Sequence, residues 1–173
     1  MRLSTLNTPT TRKLAGALVL SAAGYAALQL HEGSENTVYL DIAGYPTVCI
    51  GSRYGLEGRA LTRLDVGRRY SNAECAVIDR RNIAIAEQAV IRNVTVLLTN
   101  DQFDALVDWT FNLGEAALKS STMLKRINAG DCWRAADAMD DWDKAIVNGK
   151  LRAVTGLTAR RADNRDLFER GCT

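Results

Sequence analysis

The chain has 173 residues, 47% of them hydrophobic and 24% charged, which suits a globular protein and excludes extensive disorder. Aromatic residues make up only 6% and there are two prolines, which favours helices over an all-β sandwich. The formal net charge is +2, and Arg2, Arg12 and Lys13 precede the first acidic residue, so subtracting these three leaves −1 for residues 31–173. Because this part is nearly neutral, we expect no nucleic-acid partner.

An uncharged apolar segment covers residues 14–30, with the sequence LAGALVLSAAGYAALQL. A helix of this length spans roughly 25 Å, the lower limit for a bilayer core, and its many alanines and glycines make membrane retention marginal. Basic residues precede it, so the positive-inside rule sends the chain from residue 31 onward across the membrane. We therefore predict an N-terminal apolar helix that serves as an export anchor within residues 1–30, followed by one domain at 31–173.

Two alternatives for this segment remain open. One is a cleaved signal peptide, although the small-x-small triplet Ala15-Gly16-Ala17 lies too early and no good cleavage site follows the apolar run. The other is a helix packed within the fold of a cytosolic protein, although the segment shows no clear polar face.

A β-hairpin is predicted next. Residues 37–41 (TVYLD) combine β-branched and aromatic side chains typical of a strand, residues 43–46 (AGYP) have turn chemistry, and residues 47–50 (TVCI) can form the returning strand. The glycine-rich residues 51–58 are predicted as a loop.

Helices are predicted for the rest of the chain. Residues 71–74 (SNAE) and 99–102 (TNDQ) are capping boxes, which open helices that end near Ile91 and at residues 112–114. Shorter helices are expected from Ser120 or Ser121 to Gly130, after Asp131, and from Thr158 to Gly171, with Asn148-Gly149 as a turn in an irregular stretch. The predicted fold class is α+β, with a small β-hairpin region and a helical bundle.

The four cysteines are Cys49, Cys75, Cys132 and Cys172, and the sole histidine is His31. Without a CxxC motif or further histidines we expect no metal site, and no cofactor is indicated. An even count permits two disulfides in three pairings, or four thiols in a reducing cytosol. Export favours disulfides.

Two carboxylates frame the predicted hairpin, Glu32 at the end of the apolar segment and Asp41 at the end of the first strand. Such a pair across a cleft is what glycoside hydrolysis requires, and Thr47 on the returning strand could hold a water or a sugar oxygen. By itself the spacing is weak. The plain alternatives are an exposed helix-terminal acid for Glu32 and a turn acid for Asp41.

An ordered series of motifs gives the pair more weight. Residues 31–33 (HEG), 39–41 (YLD) and 44–51 (GYPTVCIG) resemble the active-site signature of the phage lysozymes of glycoside hydrolase family 24, which is Glu, eight residues, Asp or Cys, five residues, Thr. The signature fits at Glu32, Asp41 and Thr47. Two further stretches, 100–114 and 156–168, are similar to the central and C-terminal helices of that family, so the resemblance covers nearly all of residues 31–170 in the same order.

The resemblance implies a lysozyme-like fold and hydrolysis of the β-1,4 bond between N-acetylmuramic acid and N-acetylglucosamine in peptidoglycan, for lysis of the host cell. Glu32 would be the general acid, and Asp41 and Thr47 would place or activate water. The family is generally inverting, which implies carboxyl groups roughly 6.5–9.5 Å apart.

The resemblance also implies supporting residues, namely Asn112, Arg160 and Arg161. Arg160 or Arg161 would reach Glu32, and the plain alternative for the arginine pair is a solvated helix face. Two positions depart from the family pattern. Ser52 stands where His is usual, and Asn164 stands where Glu is frequent, which puts the hairpin loop and the polar network in doubt more than the reaction.

The apolar segment beside Glu32 resembles that of signal-arrest-release endolysins. This implies export by the host secretion machinery, attachment to the inner membrane through residues 14–30, and later release into the periplasm, as a monomer. The segment has no cysteine, so we expect activation by refolding without disulfide exchange. The four cysteines would then be structural, and of the three pairings we choose Cys49–Cys75 and Cys132–Cys172 without a decisive sequence signal.

Other functions remain possible. A lytic transglycosylase needs only one acid and leaves an anhydro sugar, whereas Asp41 and Thr47 favour hydrolysis. An inactive, membrane-tethered wall-binding protein is a different class, and Ser52 is its support.

Overall fold

A computed structural model of the protein describes residues 11–41, 44–147 and 149–173. Within these residues the helices are α1 (Ala22–Glu32), α2 (Asn72–Asn93), α3 (Asn100–Ser120), α4 (Thr122–Asn128), α5 (Cys132–Asp137) and α6 (Thr155–Glu169). The strands are β1 (Lys13–Leu14), β2 (Glu35–Leu40), β3 (Pro46–Cys49), β4 (Leu97–Leu98), β5 (Lys144–Val147) and β6 (Lys150–Ala153). They form three antiparallel pairs, β1 with β4, β2 with β3 and β5 with β6.

The two capping boxes predicted from the sequence are confirmed. The Ser71 hydroxyl accepts a hydrogen bond from the Glu74 amide while the Glu74 carboxylate accepts from the Ser71 amide, at the start of α2. Thr99 and Gln102 form the same reciprocal pair before α3. Each cap satisfies amides that the helix itself leaves without partners, which stabilises the helix start by about 1 kcal/mol.

The central helix α3 organises the main hydrophobic core. Its side chains Phe103, Leu106 and Trp109 are fully buried, and α2 and α6 pack against it. Gly114 has a φ of 84°, a conformation that favours glycine, so the helix is interrupted near the predicted end and continues for one more short stretch. Most buried residues of α3 precede this interruption, and fully buried Leu118 follows it.

The hairpin of β2 and β3 carries a small second core. The strands pair Tyr39 with Thr47 and Leu40 with Pro46, and a bulge lies between Glu35 and Tyr39. Buried side chains of the hairpin pack on residues of the following loop and on α2: Val38, Val48, Cys49, Leu61, Tyr70, Cys75 and Ile78. The hairpin is therefore fixed to α2 as well as to its own partner strand.

The prediction of one continuous apolar helix over residues 14–30 is wrong for this structure. Strand β1 pairs with β4, a single 3-10 turn follows at Ala15–Ala17, and α1 begins only after Ser21, whose hydroxyl accepts from the Gly24 amide. The physical reason is that Ala15, Leu18 and Leu20 are buried in the core, where tertiary contacts override helix propensity. Among the described helices, none is long and apolar enough to cross a membrane.

The C-terminal elements also differ from the prediction. Helix α6 begins at Thr155, three residues before the expected start, because the Thr158 hydroxyl bonds to Asp143 and to the Val154 carbonyl inside the first turn instead of capping the helix. The stretch expected to be irregular is the hairpin of β5 and β6, with Gly149 at its turn.

Two disulfides join distant parts of the chain, in the pairing chosen from the sequence. Cys49–Cys75 connects the end of β3 to the first turns of α2, across 26 residues. Cys132–Cys172 connects the start of α5 to the C-terminus, across 40 residues.

We predict that removing either disulfide, as Cys49→Ala with Cys75→Ala or as Cys132→Ala with Cys172→Ala, lowers the free energy of unfolding by about 3–4 kcal/mol, because the unfolded chain regains loop entropy. Guanidinium unfolding of each double variant measures the loss, with reduced wild-type protein as the control. An unchanged midpoint for either double variant would contradict that bond.

Candidate active site

Glu32 is the last residue of α1, where Gly33, with a φ of 73°, turns the chain towards β2. One carboxylate oxygen of Glu32 accepts a hydrogen bond from Arg160 Nη1 at 2.6 Å. The Glu32 side chain is 23% exposed, whereas that of Arg160 is buried. Glu32 is therefore fixed from the protein side and still reachable from solvent.

Arg160 is the member of the arginine pair that reaches Glu32, which the sequence left undecided. Its Nη2 donates to Asp108 Oδ1 at 2.8 Å and its Nε donates to Asp108 Oδ2 at 3.3 Å. This bidentate pair joins α6 to α3. Such pairs fix the guanidinium plane, so Arg160 presents one remaining edge to Glu32. The solvated-face alternative is wrong for Arg160.

Asp108 is the centre of a polar cluster that sequence reasoning missed. His31 Nδ1 lies 3.1 Å from its carboxylate, and Asn164 Nδ2 donates to the same oxygen. Burial by itself would raise the pKa of Asp108, but the His31 hydrogen bond and the Arg160 charge outweigh it and lower the pKa to about 2. A signal existed in the sequence, since Asp104 and Asp108 both fall on the otherwise apolar face of a predicted helix.

The departure at Asn164 has a physical reason here. Asn164 is buried against Asp108 and supplies a donor to that carboxylate. A glutamate in its place would set a second negative charge beside Asp108, whereas the amide needs no neutralising partner.

Arg161 has a separate, buried environment. Its Nη2 donates to Asn112 Oδ1 at 2.9 Å, and its guanidinium carbon lies 5.9 Å from the centre of the Trp109 ring. Burial lowers the pKa of Arg161 to about 10. Arg161 and Asn112 thus join α6 to α3 behind the Glu32 contact, and the solvated-face alternative is wrong for Arg161 too.

The hairpin brings Asp41 and Thr47 together. The Thr47 hydroxyl lies 3.5 Å from Asp41 Oδ2 and donates to the Tyr45 carbonyl at 3.0 Å, while Asp41 Oδ1 accepts from the Tyr45 amide at 2.8 Å. Arg53 Nη2 lies 3.7 Å from Asp41 Oδ2, and its guanidinium stacks on the Tyr45 ring at 3.8 Å. Asp41 therefore closes the turn and also presents a carboxylate oxygen beside Thr47 and Arg53.

Ser52, which stands where His is usual in the family, is hydrogen-bonded within the loop after β3. Its backbone pairs with Val48 in both directions, at 2.8 and 2.9 Å. Its buried hydroxyl donates to the Tyr54 carbonyl at 2.9 Å and accepts from the Tyr54 amide. The loop after β3 is thus held by local hydrogen bonds.

A cavity of about 360 Å³ lies between this loop, α2 and α3. Its wall combines aromatic, aliphatic and polar side chains, among them Arg53, Tyr54, Asn82, Ile85, Phe111 and Glu115. Arg53 links the cavity to Asp41. In the part of the chain that the structure describes, no three His, Cys, Asp or Glu side chains are grouped as metal ligands.

Comparisons with known proteins identify the family of this chain. A family model described as phage lysozyme matches residues 29–164. The chain is 31% identical over 150 residues to an endolysin of Acyrthosiphon pisum secondary endosymbiont phage 1, covering 87% of this chain and 97% of the relative. It is 32% identical over 145 residues to a SAR-endolysin of Pseudomonas phage phiKMV, covering 84% of this chain and 83% of the relative.

A solved structure extends the comparison to the fold. The endolysin from Escherichia coli O157:H7 phage FAHEc1 matches with a TM-score of 0.80 at 32% identity, covering 87% of this chain and 93% of that chain. The expected lysozyme-like α+β fold is confirmed, apart from the N-terminal apolar helix.

We predict a pH-dependent contribution of His31 to stability. Its pKa is raised from 6.5, first by the hydrogen bond to Asp108, so its contribution is fully present below pH 6.5 and is lost as pH rises through the raised pKa of the folded state. The free energy of unfolding should therefore differ more between wild type and His31→Gln at pH 6 than at pH 9. Urea unfolding across this range measures the difference.

Asp163→Asn is the matched control, since exposed Asp163 is the weaker partner of His31. Most of the pH dependence should remain in that variant. A His31→Gln difference that stays constant from pH 6 to 9 would contradict the prediction.

Proposed function

This chain belongs to the phage lysozyme family, and we propose that it hydrolyses the β-1,4 bond between N-acetylmuramic acid and N-acetylglucosamine with Glu32, Asp41 and Thr47. Membership of this family makes the chain a lysozyme that degrades peptidoglycan during host-cell lysis. The observation that carries the residue roles is the pair of supported carboxylates, Glu32 on Arg160 and Asp41 beside Thr47, at the two ends of one short stretch of chain.

Glu32 would donate the proton to the glycosidic oxygen. Its side chain accepts from Arg160 Nη1, and Arg160 is itself held by two hydrogen bonds to Asp108. The Glu32 carboxyl group is therefore kept in one position at the end of α1. Once the proton has left, Arg160 Nη1 stabilises the new carboxylate in the same position.

Asp41 would act on the water that attacks the opposite face of the sugar. Arg53 lies 3.7 Å from its carboxylate, and the Thr47 hydroxyl lies close enough to share a water with it. In an inverting reaction this carboxylate takes the proton of the water and balances the positive charge that develops on the ring.

The cavity beside Asp41 would hold part of the glycan strand. Tyr54 and Phe111 offer apolar faces for sugar rings, while Asn82 and Arg53 offer donors for hydroxyl and acetamido oxygens. No cofactor is needed for this chemistry, and peptidoglycan is the substrate that the family implies.

The apolar segment would have two environments. Leu14, Val19 and Leu30 are 63%, 64% and 85% exposed in the folded protein, so the fold itself does not require them to be apolar. Insertion in a lipid bilayer does require apolar side chains at these positions. These exposed apolar residues, together with relatives named SAR-endolysin, support a membrane anchor within residues 1–30. The secretion machinery would insert this anchor in the inner membrane. After release, the segment would join the fold of a monomeric enzyme in the periplasm.

The anchored state would be inactive because Glu32 follows the segment directly. With residues 14–30 in lipid, Glu32 lies at the membrane surface and cannot occupy its place on Arg160. In the released form α1 would pack against α3, as it does in this structure.

We predict that Glu32→Gln abolishes lysis of chloroform-treated Gram-negative cells, because the amide oxygen can keep the hydrogen bond from Arg160 but the amide has no acidic proton to donate. Turbidity assays measure lysis, and thermal unfolding shows that the variant folds. Wild-type lysis by the variant would contradict the role of Glu32.

Mass spectrometry of the released muropeptides separates the remaining activities. Hydrolysis gives reducing N-acetylmuramic acid ends, a transglycosylase gives anhydro ends, and a wall-binding protein without activity gives no release at all. Asp41→Asn and Thr47→Ala should each reduce hydrolysis without producing anhydro sugars.

We predict that the full-length protein fractionates with membranes and that an uncoupler starts lysis. Val19→Lys is the informative variant, since residue 19 is exposed in the fold but a lysine there costs about 3 kcal/mol in a membrane helix. This variant should move to the soluble fraction while its extract keeps lytic activity. A wild-type protein found only in the soluble fraction would favour the cytosolic alternative.

A further inference from the structure

The start of α1 lacks the charged residues that usually support a helix N-terminus. Its first turn contains no acidic residue, and its own cap is limited to the Ser21 hydroxyl, which accepts from the Gly24 amide at 3.0 Å. The two amides directly before the helix, those of Leu20 and Ser21, find their partners on other helices.

Two buried carboxylates from other helices meet these amides. Glu87 on α2 accepts from the Leu20 amide at 2.7 Å, and Asp104 on α3 accepts from the Ser21 amide at 3.0 Å and from the Ser21 hydroxyl. Both acids are buried. Arg80 also contacts Glu87, at 3.0 Å, whereas burial raises the pKa of Asp104. The side-chain acceptors that the first turn of α1 lacks are thus supplied by α2 and α3.

Gly24 makes this approach possible. A Cβ atom at residue 24 would lie 2.7 Å from Asp104 Cγ and 2.8 Å from both Asp104 Oδ2 and Leu20 Cδ1, which a real side chain does not tolerate. At Gly16, in the same apolar segment, a Cβ would meet only Ile91 Cγ2, at an ordinary 3.7 Å. Both glycines lie in the apolar segment, but only Gly24 lacks the space for a Cβ atom in the fold.

A second contact ties the same helix to the hairpin. The Tyr25 hydroxyl donates to Asp79 Oδ2 at 2.7 Å, and the Ile50 amide, which follows β3, donates to Asp79 Oδ1 at 3.2 Å. Fully buried Asp79 therefore joins the helix that ends in Glu32 to the strand that carries Thr47.

These contacts address a problem of register. The sequence AAGYAALQL has few features that would stop an apolar helix from docking one turn out of place, because alanines and leucines fit many grooves. Hydrogen bonds to buried carboxylates are directional, and a shifted segment would leave them unsatisfied at considerable cost.

We propose that Glu87 and Asp104, with the space left by Gly24, form a capping receptor that captures the N-terminal end of α1 in one register and thereby positions Glu32. The capping receptor rests on the proposed function in one respect, since Glu32 is taken as the acid. Glu87 and Asp104 are positioning residues, which act on the reaction through the placement of α1.

The test compares Gly24→Ala with Gly16→Ala in the full-length chain. Both substitutions add one methyl group to the apolar segment, so they alter membrane affinity equally, but only Gly24→Ala displaces the receptor. Since a misplacement of about 1 Å can cost about a hundredfold in rate, kcat of the released enzyme should fall by up to that factor in Gly24→Ala, with KM little changed. Gly16→Ala should keep the wild-type kcat, and equal kcat in the two variants overturns the proposal.

A graded pair of substitutions covers the case in which Gly24→Ala does not fold. Glu87→Gln keeps an acceptor for the Leu20 amide and should retain most of kcat, whereas Glu87→Ala removes it and should lose far more. Equal losses in the two variants would overturn a capping role for Glu87.

Amide hydrogen exchange separates this proposal from the proposed function. Exchange at Leu20 and Ser21 should be faster in Gly24→Ala and Glu87→Ala than in Gly16→Ala, whatever residue proves to be the catalytic acid. Unchanged exchange overturns the capping receptor, while lysis by Glu32→Gln overturns only the role of Glu32.

Discussion

The buried ion pair between Arg160 and Asp108 is the interaction on which the rest of the site depends. It joins α6 to α3 and leaves one edge of the guanidinium for Glu32. A buried pair of this kind adds little net stability, but removing one partner leaves the other charge without compensation in the interior. The pair therefore fixes geometry: Glu32, His31 and Asn164 all take their positions from it.

Helix α3 holds α1 at both ends through two acids one turn apart. Asp104 accepts from Ser21 at the start of α1, and Asp108 contacts His31 and, through Arg160, Glu32 at its end. A single helical face thus determines both the docking of the segment and the placement of the acid at its end. Any conformation that withdraws the segment removes both sets of contacts together.

The apolar segment satisfies two sets of requirements with one sequence. Ala15, Leu18, Leu20 and Leu28 are buried in the fold, while other apolar residues of the segment remain exposed. The few polar groups of the segment each find a specific partner in the folded domain. In the proposed anchor role, the moderate apolar character of the segment would let it leave the membrane, and the buried carboxylates would define where it docks.

The sequence by itself determined several local elements and, through its family resemblance, the candidate residues of the site. Capping boxes placed the starts of α2 and α3, and strand and turn signals placed Asp41 and Thr47 on a hairpin, because these signals act between near neighbours in the chain. The tertiary structure alone decided that Arg160 and not Arg161 contacts Glu32, since neighbouring helix residues point about 100° apart and only packing selects the face. It also divided the apolar segment at Ser21 and gathered Glu87, Asp104 and Asp108 around it, because a buried carboxylate is stable only where the fold supplies its donors.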